Sequence, residues 1–89
     1  MGTETEPRKP SRLGIIRCIL KNSVTRSSKI ELTCVCELNP SQFDLYVDFL
    51  VKMRLLEVSG EEEAEAFETT RKGEEFLRDC AWIERLLAG

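Results

Sequence analysis

Apolar residues recur at spacings of three and four along "SRLGIIRCILKNS", near the start of the chain. This spacing predicts an amphipathic helix, because it lines up apolar side chains on one helical face. Ser11 is a suitable N-cap, so the helix is expected from about Arg12 to Lys21. The predicted stripe consists of Leu13, Ile16 and Leu20, widened by Ile15 and Ile19.

A second start signal lies in "SSKIELTCVCEL", where Ser28 is followed three residues later by Glu31. Serine and glutamate at this spacing form a capping box, in which each side chain accepts a hydrogen bond from a backbone N–H group of the other residue. The box predicts a short second helix. Its inward stripe is expected at Leu32, Val35 and Cys36.

The strongest start signal lies in "LNPSQF", where Asn39 is a good N-cap, Pro40 suits the first helical position and Gln42 can close a capping box. The third helix should continue through "DLYVDFLVKM" and end near Met53. Only a tight connection separates it from the second helix, which is the layout of a helix-turn-helix. The predicted inward face consists of Phe43, Tyr46, Val47, Leu50 and Met53.

The pattern then changes to the short apolar segments "LLEV" and "AFETT", which flank the polar stretch "SGEEEAE". Ser59 and Gly60 are turn residues, so these segments are predicted to be two antiparallel strands joined by a loop. The glutamate-rich stretch taken alone is also compatible with a helix.

The last segment, "TTRKGEEFLRDCAWIERLLAG", predicts a helix over about residues 71–88 with Thr70 as its cap. An apolar surface this broad needs cover on more than one side, which favours a homodimer. The alternative is a monomer in which the whole stripe packs against the first helix. The stripe consists of Phe76, Cys80, Ile83 and Leu87, with Leu77, Trp82 and Leu86 beside it.

Eighty-nine residues are enough for one domain, so we expect a polar, flexible tail at residues 1–10 and a single folded unit at residues 11–89. No apolar run is long enough for a membrane span, and the first residues do not resemble a signal peptide, which predicts a cytoplasmic protein. The chain has no histidine, no glycine-rich phosphate loop and no nucleophile with a partner base. We therefore expect neither an enzyme nor a cofactor.

The chain has four cysteines: Cys18, Cys34, Cys36 and Cys80. Two residues that are two apart on a helix lie about 200° apart around its axis, so Cys34 and Cys36 do not easily share a metal ion. We expect no metal site and free thiols that pack as small apolar residues. An intermolecular disulfide through Cys80 is the alternative in an oxidising setting.

Two segments at a characteristic distance, "LNPSQFDLYVDFLVKMRLLEV" and "FETTRKGEEFL", resemble the small archaeal winged helix-turn-helix transcriptional regulators. The resemblance covers about residues 11–87. It implies a mainly α fold with a small β-hairpin: a three-helix core, a two-stranded wing and a C-terminal helix. It also implies a homodimer through that helix, with Phe76, Cys80, Ile83 and Leu87 at the contact.

One position departs from the resembled pattern. Such proteins usually have glycine after the third helix, where a left-handed residue closes it, but this chain has Arg54. A non-glycine residue that adopts this conformation costs on the order of 1 kcal/mol, and a differently shaped helix end is the alternative.

The charge is unevenly distributed along the chain. Residues 1–29 contain seven basic and two acidic side chains, a net charge of +5, whereas residues 30–89 contain six basic and fourteen acidic ones, a net charge of -8. The first third of the chain is therefore the part expected to bind a polyanion. The candidate DNA contacts are Arg26, Ser28, Lys29, Ser41, Gln42 and Lys52, with Arg8 and Lys9 as a basic arm.

Acidic side chains on the same surface oppose this assignment. Asp44 and Asp48 fall on the exposed face of the third helix, and four glutamates lie in "GEEEAE" at the wing. Carboxylates beside a duplex weaken the electrostatic attraction on which DNA binding depends. Two hypotheses follow: a homodimeric regulator that binds double-stranded DNA, or a protein-interaction module whose acidic wing and third helix bind a basic protein partner without DNA.

Overall fold

The computed structural model describes residues 11–88. Four helices and three short strands form a winged helix-turn-helix, as the sequence predicts. No helix in this range has the length and apolar character needed to cross a bilayer. The elements are α1 (Arg12–Asn22), β1 (Ser27–Ser28), α2 (Lys29–Val35), α3 (Pro40–Lys52), β2 (Leu56–Ser59), β3 (Ala66–Thr69) and α4 (Arg71–Ala88).

The predicted helix starts are all confirmed. Ser11 caps α1 by accepting a hydrogen bond from the Gly14 N–H at 2.9 Å. Complete capping boxes open α2 and α3. In the second box, the Gln42 N–H donates to Asn39 Oδ1 at 2.8 Å, and the Asn39 N–H donates to Gln42 Oε1 at 3.2 Å. Local side-chain chemistry therefore fixes where these helices begin.

The ends of α2 and α3 are closed by left-handed residues that are not glycine. Glu37 has φ 53° and Arg54 has φ 63°. After α3, the Arg54 N–H donates to the Val51 carbonyl and the Leu55 N–H donates to the Leu50 carbonyl, both at 2.9 Å. This is a Schellman closure, in which two last-turn carbonyls gain partners. Arg54 thus adopts the left-handed conformation, the alternative that carries the energetic cost.

The sheet has three antiparallel strands in the order β1-β3-β2. The hairpin of β2 and β3 matches the prediction, and a 3₁₀ turn at Glu62–Ala64 lies in the loop between them. The two-stranded prediction missed β1, whose Ser27 pairs with Phe67. Two polar residues carry no alternating pattern, so only pairing with β3 makes this segment a strand.

The core lies where α1, α2 and α3 meet the inner face of the sheet. Phe43 of α3 and Phe67 of β3 are both buried, and their rings pack edge to face with centroids 5.3 Å apart. Most predicted inward residues are buried as expected. These are Ile15, Ile19, Leu20, Leu32, Cys36, Phe43 and Leu50.

The inward orientation predicted for three other residues is wrong. Leu13, Val35 and Met53 are each about half exposed. Leu13 lies in the first turn of α1, Val35 is the last residue of α2, and Met53 is the C-cap of α3. Helical periodicity continues to the helix ends, but the neighbouring elements cover only the middle of each helix.

The first half of α4 packs onto the domain. Thr70 caps the helix, because its Oγ1 accepts from the Gly73 N–H at 3.0 Å. Gly73 is buried so closely against the Leu55 carbonyl and the Thr69 methyl group that a Cβ atom there would overlap both. Further along, Glu84 forms a two-pronged ion pair with Arg17 of α1, with Nη2–Oε1 at 2.8 Å.

The expectation of free thiols is wrong for two cysteines. Cys18 of α1 and Cys36 at the end of α2 form a disulfide, with their Cα atoms 6.0 Å apart. The packing of the two helices brings these residues together although they are 18 positions apart. Cys34 and Cys80 have free thiols, the first exposed and the second buried.

Candidate nucleic-acid interface

The helix-turn-helix consists of α2, the short connection Cys36–Asn39 and α3. The first turn of α3 exposes Ser41 and Gln42, two of the predicted DNA contacts. A helix N-terminus carries unpaired backbone N–H groups and partial positive charge. The N-terminal end of α3 is therefore suited to contact a phosphate group.

Two of the predicted contacts are already used within the fold. Gln42 Oε1 accepts from the Asn39 N–H, which leaves its side-chain NH₂ group as a donor. Ser28 Oγ accepts from the Glu31 N–H at 3.2 Å, which leaves its hydroxyl hydrogen to donate. Both side chains are held in place by capping and can still donate a hydrogen bond outward.

The two predicted lysines lie beside the two aspartates that oppose DNA binding. Lys29 Nζ is 3.5 Å from Asp44 Oδ1, and it also lies 5.8 Å from the centre of the Phe43 ring. Lys52 Nζ is 3.2 Å from Asp48 Oδ2, one helical turn away. All four charged groups are exposed. Exposed ion pairs of this kind are typically worth about 0.2–1 kcal/mol.

Arg26 lies just before β1 and contacts the wing, which we define as residues 56–69. Its backbone is left-handed, with φ 61°, and its Nη2 donates to Ser59 Oγ at 3.4 Å. Its guanidinium therefore lies beside the last residue of β2, next to the wing loop. Arg8 and Lys9, the predicted basic arm, lie outside the described residues.

Between α3 and the inner face of the wing lies an open concavity of about 280 Å³, which we call the wing groove. Three carboxylate residues lie at this groove, and the wing adds exposed Glu61 and Glu63 at its tip. The groove combines acidic groups with an apolar floor. It is lined by Phe43, Asp44, Val47, Asp48, Val51, Val58, Glu65 and Phe67.

Sequence reasoning identified Asp44, Asp48 and the wing glutamates but missed the groove itself. Val51 and Val58 contribute its exposed apolar part, although each is only about 40% exposed. Nothing in the local pattern of either segment marks these valines, because they become neighbours only when the hairpin packs against α3.

The residues predicted at a dimer contact divide into two groups along α4. Phe76 packs partly buried against the core, and Cys80 is buried. Ile83 and Leu87 are exposed, the latter to 82%, together with Trp82 and Leu86. The second half of α4 therefore presents four large apolar side chains to solvent within this chain.

Among the described residues, no group of three or more histidine, cysteine, aspartate or glutamate side chains is arranged to hold a metal ion.

Comparison with known proteins gives two findings. A family model described as a winged helix-turn-helix matches residues 9–88. The crystal structure of Sso10a-2, a DNA-binding protein from Sulfolobus solfataricus, superimposes with a TM-score of 0.72 at 22% identity, covering 88% of this chain and 85% of that one. A likeness at this identity concerns the fold. No curated protein matches the chain significantly.

Proposed function

Since the chain belongs to the winged helix-turn-helix family, we propose that it is a transcriptional regulator that binds double-stranded DNA as a homodimer. The observation that carries the proposal is the complete helix-turn-helix, with both helices capped and the first turn of α3 exposed. Chromosomal DNA as the partner also leads us to expect a cytoplasmic protein.

We infer that DNA is met by the first turn of α3 and the basic side chains around it. In this mode Gln42 and Ser41 reach base edges or phosphates, while Arg26 contacts the backbone near the wing. The proposed contacts are Arg26, Ser28, Lys29, Ser41, Gln42 and Lys52, with Arg8 and Lys9 as an arm.

The ion pairs of Lys29 and Lys52 do not prevent these contacts. An exposed pair contributes less than about 1 kcal/mol, so a lysine can exchange an aspartate for a phosphate at little cost. Asp44 and Asp48 nevertheless remain beside the duplex after the exchange. We therefore expect modest affinity with a strong dependence on salt.

For the homodimer, we propose that the second halves of two α4 helices pack together. Trp82, Ile83, Leu86 and Leu87 supply the apolar surface, and Phe76 and Cys80 hold the helix to its own domain. Burying a leucine-sized side chain is worth about 1.5–3 kcal/mol. Sedimentation should show a dimer for the wild type and a monomer for Leu86→Glu/Leu87→Glu. A dimeric double variant would refute this contact.

The DNA proposal is tested by fluorescence anisotropy on a random duplex across a salt series. Arg26→Ala/Lys29→Ala should weaken binding on all sequences and reduce the salt slope by about two phosphate contacts. The matched control, Arg71→Ala/Lys72→Ala, removes the same charge from the exposed first turn of α4. It should have a smaller effect. Equal losses in both variants would refute the assigned contacts.

Absence of DNA binding even at low salt would reject the regulator. It would leave the protein-interaction alternative, in which the acidic wing and the face of α3 bind a basic protein.

A further inference from the structure

We propose that the free edge of β2, together with the wing groove, is a docking site for an extended segment of another protein that carries lysine or arginine at alternate positions. This inference goes beyond DNA binding, since it concerns a different ligand and has its own test. It rests on the backbone of β2, on exposed apolar residues and on charge.

The first step is the edge itself. Strand β2 lies at one side of the sheet, with β3 as its partner. The Thr70 N–H donates to the Leu55 carbonyl at 3.0 Å, and hydrogen-bonded pairs alternate along an antiparallel ladder. The backbone groups of Leu56 and Val58 therefore point away from β3. In agreement, the N–H of Thr69, the partner of Leu56, donates to Ser23 on the other side.

These outward groups form a template for one more strand. An extended peptide can hydrogen-bond to the N–H and C=O groups of Leu56 and Val58 and continue the sheet beyond β2. Concave surface exists on both faces of this edge, and Val51 and Val58 line both concavities. A strand added here meets α3 on one face and a second concavity, near Arg26 and Arg54, on the other.

The groove determines which side chains fit on the α3 side. Its floor includes the exposed valines Val51 and Val58, while Asp44, Asp48 and Glu65 supply negative charge. A lysine or arginine has an aliphatic stem and a charged end, so it matches such a floor and its carboxylates together. Asp44 and Asp48 already lie beside Lys29 and Lys52, whereas Glu65 has no ion pair among the described residues, and a short apolar residue would offer it none.

The opposite face of the added strand has no such requirement. The concavity there has a volume of about 570 Å³ and contains both signs of charge, with Arg26 and Arg54 near Glu57 and Glu68. Every second residue of the ligand can therefore be neutral. The expected ligand is an extended segment in which basic residues alternate with β-branched ones.

The probe is a fluorescein-labelled ten-residue peptide of alternating lysine and valine, measured by anisotropy against the full chain at low salt. Asp48→Asn/Glu65→Gln should weaken binding about tenfold. The control Glu75→Gln/Asp79→Asn makes the same charge change on exposed α4 positions and should change affinity less than twofold. Unchanged binding to the first variant, or an equal loss in the control, would overturn the proposal.

Edge pairing is tested separately. Val58→Pro removes an N–H group that points away from β3, so it should preserve the ladder and weaken peptide binding at least tenfold. A peptide that is N-methylated on its pairing edge keeps its charge and should also lose binding. If circular dichroism shows folded Val58→Pro and both the variant and the methylated peptide bind normally, strand addition is refuted.

Two other occupants have distinct signatures. If the wild type does not bind the peptide but Arg8→Ala/Lys9→Ala does, the chain's own basic residues occupy the groove, which overturns an external partner. If Asp48→Asn/Glu65→Gln binds duplex DNA more tightly than the wild type while its peptide affinity is unchanged, the groove faces DNA, which overturns the peptide site.

Discussion

Replacing Asp44 and Asp48 of α3 by asparagine should strengthen binding to duplex DNA. Each aspartate lies beside a lysine that is proposed to contact phosphate, at 3.5 Å for Lys29 and 3.2 Å for Lys52. The double variant removes two negative charges from this surface and releases two lysines. Asparagine keeps the size of the side chain, so the fold should not change.

The magnitude follows from two contributions. A carboxylate about 7 Å from a phosphate in water costs roughly 0.6 kcal/mol, and release of an exposed lysine removes a competing interaction of about 0.2–1 kcal/mol. Because screening reduces both, the double variant should gain about 1–2 kcal/mol at low salt. That corresponds to roughly 5- to 30-fold tighter binding.

The salt dependence provides a second measurement on the same samples. Lys29 and Lys52 contact phosphate in both proteins, so the slope of log affinity against log salt should change by less than about 0.9, the value of one phosphate contact. Anisotropy on a random duplex gives both quantities, and Glu75→Gln/Asp79→Asn serves as a control of equal charge on α4. If affinity stays at the wild-type value, or if the control gains as much, α3 does not face DNA as proposed.

Three predictions concern stability, measured by urea unfolding. Arg54→Gly should raise the free energy of unfolding by up to about 1 kcal/mol, because it relieves a left-handed arginine. Lys52→Gly, inside the helix, should lower the free energy of unfolding. A loss in both variants would contradict backbone strain at Arg54. Gly73→Ala should lower the free energy of unfolding by about 1–3 kcal/mol, because the added methyl group overlaps the Leu55 carbonyl. A loss no larger than that of Glu74→Ala would refute the close contact. Reduction of the Cys18–Cys36 disulfide should lower the free energy of unfolding by about 3 kcal/mol. The stability of Cys18→Ser/Cys36→Ser should not respond to reductant. A wild type whose stability is unaffected by reductant would argue against the disulfide.

The features that the sequence predicted correctly depend on neighbours within a few positions. Asn39, Pro40 and Gln42 fix the start of α3 because a capping box closes over three residues. The hairpin was equally readable, since turn residues stand between two short apolar segments.

The missed features depend on contacts between distant segments. Strand β1 exists because Ser27 pairs with Phe67, and the disulfide exists because α1 packs against α2. Leu13, Val35 and Met53 are exposed because the neighbouring elements do not extend far enough to cover them. None of these contacts leaves a periodic signal along the chain.

By itself, the sequence determined the helix boundaries, the hairpin and the conflict between basic and acidic groups, because capping, periodicity and charge are properties of short segments. Only the tertiary structure decided where the basic and acidic groups lie relative to one another. Folding places Lys29 beside Asp44, although they are far apart on the chain, and opens an acidic groove over Val51 and Val58 next to a free strand edge. Through-space distances set the strength of charge interactions, so the fold determines which ligand each surface can bind.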